Sequence, residues 1–328
     1  MNPARIRLPG HPDAACDLVA ESIVDEYLRR DPKSRLNISV TGGRGALFVA
    51  GDAMSTADFD ISQVIQRALG SVGVMAGIEP FVSIEPVVAE RATLFGTGTE
   101  SPVVVFGYAT SETPELAPKS LVTAMRIARA LEEKRSTDDE WFWLGADGEV
   151  FVDGEKTQPV VSIRVEHGSL AIEDVRQRVT EIAKGIASDA TIRINELGRD
   201  EARGLGNVMG ASGRETQSYG ALMPSTPSVI GIDPLQPQKG GAWLARWAAR
   251  DLVKRGAKAA MVRLMYLPGD RTPTRMSARD EKGKDLTVLL DRESLSLNRV
   301  ISEWMRPQLN VDASRWGWVA SPGLPWEV

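Results

Sequence analysis

The sequence predicts an α+β fold of three related units, each a mixed β-sheet covered on one face by a pair of helices. Two observations lead there. Helical periodicity recurs in six segments, and between the members of each pair lies a stretch whose side chains alternate as in a hairpin. The order helix, hairpin, helix, strand therefore runs three times through 328 residues. Unit boundaries are expected at 1–96, 97–203 and 204–328, with strands exchanged between units.

The first helix, 12–30, sets Cys16, Val19, Ile23 and Tyr27 on one face; Pro12 suits its first position, and Asp13 complements the helix dipole. "LNISVTGGRGALFVAG", 36–51, reads as a hairpin. Its "TGGRG" turn lacks the lysine and hydroxyl of a phosphate-binding loop. Ser55 and Asp58 form a capping box for helix 58–72, striped by Ile61, Val64, Ile65, Ala68 and Leu69. The second unit pairs helix 114–134 (Leu121, Met125, Ala128) with helix 172–186 (Val175, Val179, Ile182) around the hairpin 148–168. In the third, helix 242–255 (Trp243, Trp247) and helix 294–306 (Leu297, Ile301, Trp304) flank the hairpin 259–278. Such helix pairs cover one sheet face only, so the other faces are expected to meet a second copy in a homo-oligomer.

A net charge of -5 without basic clusters argues against a general affinity for nucleic acid or anionic lipid. One cysteine excludes a disulfide framework and a zinc knuckle, and with two histidines it argues against a transition-metal site; Cys16 falls in a helical stripe and reads as a buried, inert thiol. No hydrophobic signal region or bilayer-length apolar run is seen, and the expected location is the cytoplasm.

One of the histidines, His11, stands in "GHPD" at the entrance of the first helix. Gly10, Pro12 and Asp13 there are explained by helix initiation alone. The functional alternative has the imidazole donating to a phosphate or leaving oxygen while the Asp13 carboxylate holds Mg²⁺. Asp52, at a strand end, is either a solvated acid or a carboxylate for an ammonium group.

"GHPDAACDLVAESIVDEYLRRDP", then "GDAMSTADFD", "VVFGYATSET", "INELGR" and the closing "LPWEV" together resemble the S-adenosylmethionine synthetase (methionine adenosyltransferase) family, in family order from residue 10 to the last residue. The spacing of 213–227 is closer to the archaeal branch. The resemblance implies three related α+β units, dimerisation through flat sheets and sites between subunits. It also implies attack by the methionine sulfur on C5′ of ATP, giving S-adenosylmethionine, with the released triphosphate hydrolysed to phosphate and diphosphate. By that resemblance His11 assists departure of the triphosphate, Asp13 binds magnesium, and Arg214 binds phosphate. Asp52 takes the place of a glutamate for the methionine ammonium group, and Asp147 that of an acid near the nucleoside.

The departures from the family pattern concern charge. Glu149 and Glu215 stand where phosphate-binding lysines are usual; Ile232 and Gln236 replace two more, and Gln238 replaces a metal-binding aspartate. Lys239 and Asp233 remain nearby as substitutes, with Arg199 and Arg203 further candidates. Ser101 stands near a further acidic position, and Ser39 near the glutamate of the bacterial potassium site, so a K⁺ requirement is not carried over. The segment 85–102 is too short for the long bacterial gating loop. Three readings stay open: an active, divergent methionine adenosyltransferase; a catalytically reduced homologue acting as a binding or assembly subunit; and an adenosyltransferase for another thioether or nucleotide.

Overall fold

The computed structural model describes residues 3–74, 77–88, 91–93, 100–201, 203–214 and 228–328. It is a mixed α+β fold built on three sheets, and each sheet grows from a hairpin. The first has β2 (Arg35–Gly43) and β3 (Ala46–Met54), extended in parallel by β4 (Glu79–Pro86) and on the other edge by the short β9 (Gly210–Ala211). In the second, β6 (Leu144–Val152) and β7 (Val160–His167) are extended in parallel by β8 (Thr191–Ile194) and on the other edge by β1 (Ala4–Arg7). The third pairs β10 (Ala259–Tyr266) with β11 (Arg275–Asp280) and, on its other side, with β5 (Val103–Thr110).

Helices α1 (Pro12–Arg30) and α2 (Ile61–Gly70) cover the first sheet, burying Cys16, Val19, Ile23, Val64 and Ile65 against Leu36, Ile38, Val40, Leu47 and Val49. Cys16 has no exposed surface; burial, with Asp17 and Asp13 close by, pushes its thiol up to about 12. The turn between β2 and β3 places Arg44 and Gly45 at φ 56° and 92°, as a tight two-residue hairpin requires. Helix α2 begins later than its pattern suggests. The cap is Asp60, whose Oδ1 accepts from Ser62 N–H at 2.9 Å, whereas Ser55 turns back to bond Ser34 at 2.7 Å.

The second sheet is covered by α3 (Lys119–Thr137) and α4 (Ile172–Ile186), with Leu121, Met125, Ala128, Val175 and Val179 buried. The third departs from the helix-pair expectation. Its α5 (Ala242–Lys254) is regular, but 294–306 is no continuous helix: Ser296 caps a single turn at Leu297–Arg299, a wider turn follows at Val300–Trp304, and Pro307 then ends the run. Leu297 and Trp304 stay buried while Ile301 is 41% exposed, because widening the turn rotates it off the stripe. The last helix, α6 (Leu309–Arg315), packs on α1 instead.

Two family-like motifs have structural explanations. Gly107 of "FGYATSET" lets α5 lie directly on β5, since a Cβ there would come within 2.0 Å of the Ala245 backbone. In "LPWEV", Trp326 stacks on Trp243 at 4.1 Å and Glu327 accepts from Arg246 Nε at 2.7 Å, fixing the last residues on α5.

The outer face of the first sheet is open. Phe48 and Phe81 pair across β3 and β4, stack at 5.1 Å and are each about half exposed, at 51% and 52%. Asp52 lies on this face, at the same parity along β3 as Phe48 and Ala50.

Candidate functional site

His11 is the N-cap of α1: its Nδ1 accepts from Asp13 N–H at 3.2 Å, which leaves the proton of the neutral ring on Nε2. Gly10 N–H donates to Ala146 O at 3.2 Å, seating the entrance against β6 so closely that a Cβ on residue 10 would fall 2.4 Å from that of Ala146. The imidazole pKa is lowered to about 3, by burial first and then by the positive charge of Arg7. Unliganded His11 is therefore neutral throughout the physiological range.

Asp13 is almost fully buried and is held from both sides. Its Oδ1 accepts from Ala211 N–H at 2.9 Å and meets Arg214 Nη1 at 3.4 Å, while Oδ2 lies 3.1 Å from Arg7 Nη1. Strand β9 brings Arg214 here by pairing with Thr41 and Gly42. His11, Asp13 and Arg214 are thus gathered in one place.

Beside them lies a network whose Arg5, Arg7, Arg164 and Asp200 the sequence alone did not single out. In register across β1, β6 and β7 stand Arg7, Glu149 and Arg164. Arg164 reaches Asp147 at 2.8 Å, Asp200 at 3.2 Å and Glu149 at 3.9 Å; Arg5 lies 3.7 Å from Glu149, and Arg203 bonds Asp200. The guanidinium groups of Arg5 and Arg164 flank the acid at 149. Asp147 is buried, with its second oxygen taken by Gly204 N–H at 3.1 Å. It braces Arg164 and the 203–206 turn. A cavity of about 480 Å³ opens alongside, lined by Gly10, Trp143, Ala146, Glu166, His167 and Arg203 among others.

Several sequence candidates lie elsewhere. Lys239 is buried, its Nζ 2.7 and 2.9 Å from the Glu21 carboxylate oxygens and 2.9 Å from Asn310 Oδ1. Glu21 is ten residues along α1 from His11, about 15 Å at helical rise. Asp233 is likewise buried, accepting from Leu36 and Leu235 N–H, and Gln236 donates to Leu36 O. This segment is tied to β2 through Leu36. Asp52 meets Arg91 at 3.4 Å instead of the His11 cluster. Glu215 lies outside the described residues. Arg199 pairs with Glu201 at 2.7 Å on the surface, and Ser39 is exposed on β2.

As a metal ligand Asp13 offers oxygen only. Among the described residues no three histidine, cysteine or acidic side chains converge to hold an ion, and a carboxylate oxygen is a donor that suits Mg²⁺.

Residues 8–85 match the family model of the S-adenosylmethionine synthetase N-terminal domain, and residues 96–196 that of the central domain. The chain is 27% identical over 312 residues to the S-adenosylmethionine synthase of Nocardia farcinica, spanning 80% of this chain and 77% of that protein. To that of Aquifex aeolicus it is 27% identical over 293 residues, and to that of Sulfurovum sp. 29% over 299, with 80% of this chain covered in each case and 77% and 76% of the relatives.

Proposed function

Because this chain belongs to the S-adenosylmethionine synthetase family, we propose that it is a methionine adenosyltransferase whose triphosphate site is built from arginines in place of lysines. The observation that carries this reading is the "GHPD" entrance itself, where His11 and Asp13 sit with Arg7, Arg214 and Arg164 around them.

In this reaction the methionine sulfur forms a bond to C5′ of ATP as the bond from C5′ to the triphosphate oxygen breaks. The nucleophile is neutral and the leaving group strongly anionic, so catalysis consists of alignment and charge stabilisation, without a strong base. Neutral His11 donates its Nε2 proton as a hydrogen bond to the departing oxygen, and anionic phosphate beside the ring raises its pKa as charge develops. Arg7, Arg164 and Arg214, which the resting site pairs with Asp13, Asp147 and Asp200, are the cations that meet the remaining oxygens, each charge-assisted bond being worth about 1.5–3 kcal/mol. Asp13, with phosphate oxygens, would hold Mg²⁺, which supplies further neutralisation of the triphosphate when bound.

The site lies between two copies of the chain in this reading. The open face with Phe48 and Phe81 is the natural homodimer surface, and Asp52 on that face serves an entrance contributed by the other protomer, binding the methionine ammonium group. No helix among the described residues is long and apolar enough to cross a membrane, and the cytoplasm is the compartment we assign. The purified protein, incubated with ATP, Mg²⁺ and methionine, is expected to form S-adenosylmethionine, phosphate and diphosphate. Formation of none of these would leave the binding or assembly subunit as the reading, and formation of a sulfonium product only from another thioether would redirect the substrate.

A further inference from the structure

We propose that the cavity between α1, α2 and the start of α6 binds a primary monoamine with an apolar chain, the ammonium group donating to Asp25. The site is separate from the His11 cluster and does not rest on the transferase reading. Asp25 lies fourteen residues along α1 from His11, about 21 Å at helical rise.

The cavity has a volume of about 350 Å³, within the size range of small-ligand sites. Its walls are apolar: Leu18 of α1 with Val64 and Ala68 of α2, all buried core residues, and Val311 of α6.

Asp25 is a half-buried carboxylate in this lining. Its Oδ1 accepts from Asn310 Nδ2 at 2.7 Å and from Asn310 N–H at 3.4 Å, and its Oδ2 accepts from Val311 N–H at 2.9 Å. All three donors are neutral, and among the described residues Asp25 forms no ion pair. Burial raises its pKa, although these bonds and the charge of Lys239 oppose the shift. Lys239 is held by Glu21 and is linked to Asp25 only through Asn310, whose Oδ1 accepts from Nζ at 2.9 Å. A carboxylate taken out of water without a counter-ion is costly. It also offers about four acceptor positions, of which these bonds take three. An ammonium group in the cavity supplies both the missing charge and the fourth bond.

The other charges narrow the ligand. Glu26 is committed to Arg29 at 2.7 Å and Arg30 at 2.9 Å, and among the described residues no cluster of three metal-ligating side chains forms, so an ammonium group suits Asp25 better than a metal ion. Arg67 of α2 is exposed at the edge of the cavity and has no ion-pair partner among the described residues. Its charge repels a second cationic end. A monoamine whose chain lies along Leu18, Val64 and Ala68 is therefore preferred to a diamine, and its charge sets it apart from an alcohol of the same length.

Calorimetric titration of hexan-1-amine, hexane-1,6-diamine and hexan-1-ol into the full-length protein at neutral pH tests this. Hexan-1-amine is expected to bind saturably and at least about tenfold more tightly than the other two. Asp25→Asn should erase the preference for the amine over the alcohol. Because Asp25 also holds α6, a second variant leaves that carboxylate and its bonds in place: Ser22→Leu, one turn earlier on α1, fills the cavity and should weaken hexan-1-amine by about tenfold or more with melting close to that of the parent. Absence of saturable amine binding to the parent would overturn the proposal, as would a parent that binds the alcohol or the diamine as tightly. Amine affinity unchanged in Asp25→Asn or in Ser22→Leu would overturn it as well.

Discussion

Replacing Lys239 by methionine separates a structural lysine from a phosphate-binding one. Its ammonium lies 2.7 and 2.9 Å from the two oxygens of Glu21, and both residues are 1% exposed. Lys239→Met leaves the carboxylate buried without its counter-charge, which costs about 3–5 kcal/mol. Protonation relieves part of that. Burial already pushes Glu21 up to about 7 from 4.5 with the lysine opposing the shift, and without the lysine it climbs further. A carboxyl pKa raised in the folded state means that the folded protein binds the extra proton, so stability is retained below pH 4.5 and lost as pH rises. The destabilisation should therefore be small in acid and largest above neutrality. The double variant Glu21→Gln/Lys239→Met removes both charges and should recover most of the loss. Urea unfolding at pH 4.5 and pH 8 measures this, with Trp243 as reporter because its ring centroid is 5.8 Å from Lys239 Nζ. A Lys239→Met protein as stable as the parent at pH 8 but with weakened ATP binding would refute the reasoning and return the lysine to the triphosphate.

His11→Ala should lower turnover by about 10²–10³-fold while costing about 1 kcal/mol through the lost cap, as read by product formation and by thermal melting. Because the folded pKa of His11 is depressed to about 3 from 6.5, the unfolded chain takes up protons first; the parent should lose stability as pH falls from 6.5 toward 3, and the variant should lack that component of the slope. Phe48→Ser/Phe81→Ser should shift sedimentation at micromolar concentration from dimer to monomer, since it removes the stacked pair from the open sheet face.

Much of the fold was legible because its signals are local. Helix α1 announces itself through Pro12 and its stripe, and the β2–β3 hairpin through alternation around "GGRG". Where the local reading failed, a competing local interaction decided. Asp60, closer to the first turn, outcompetes Ser55 as a cap, and Ser296 with the widened turn at Val300 breaks the last amphipathic pattern. His11 and Asp13 could be singled out from four consecutive residues. Arg7 and Arg164 could not, because alternation shows which strand face a residue takes but not that Glu149 will lie between them in register. The pairing of Lys239 with Glu21, 218 positions away in sequence, is invisible to any pattern for the same reason.

The account's central claim is that "GHPD" with its arginines forms a metal-assisted triphosphate site, and calorimetric titration of ATP into the parent and Asp13→Asn, each with and without Mg²⁺, tests it most directly. In the parent the Asp13 carboxylate occupies Arg7 and Arg214 and repels a bare triphosphate, so binding should be weak without the metal and markedly tighter with it. In Asp13→Asn the arginines are released, so metal-free ATP should bind more tightly than to the parent and Mg²⁺ should add little. Equal affinity in all four titrations would contradict the claim and leave "GHPD" as a helix entrance alone.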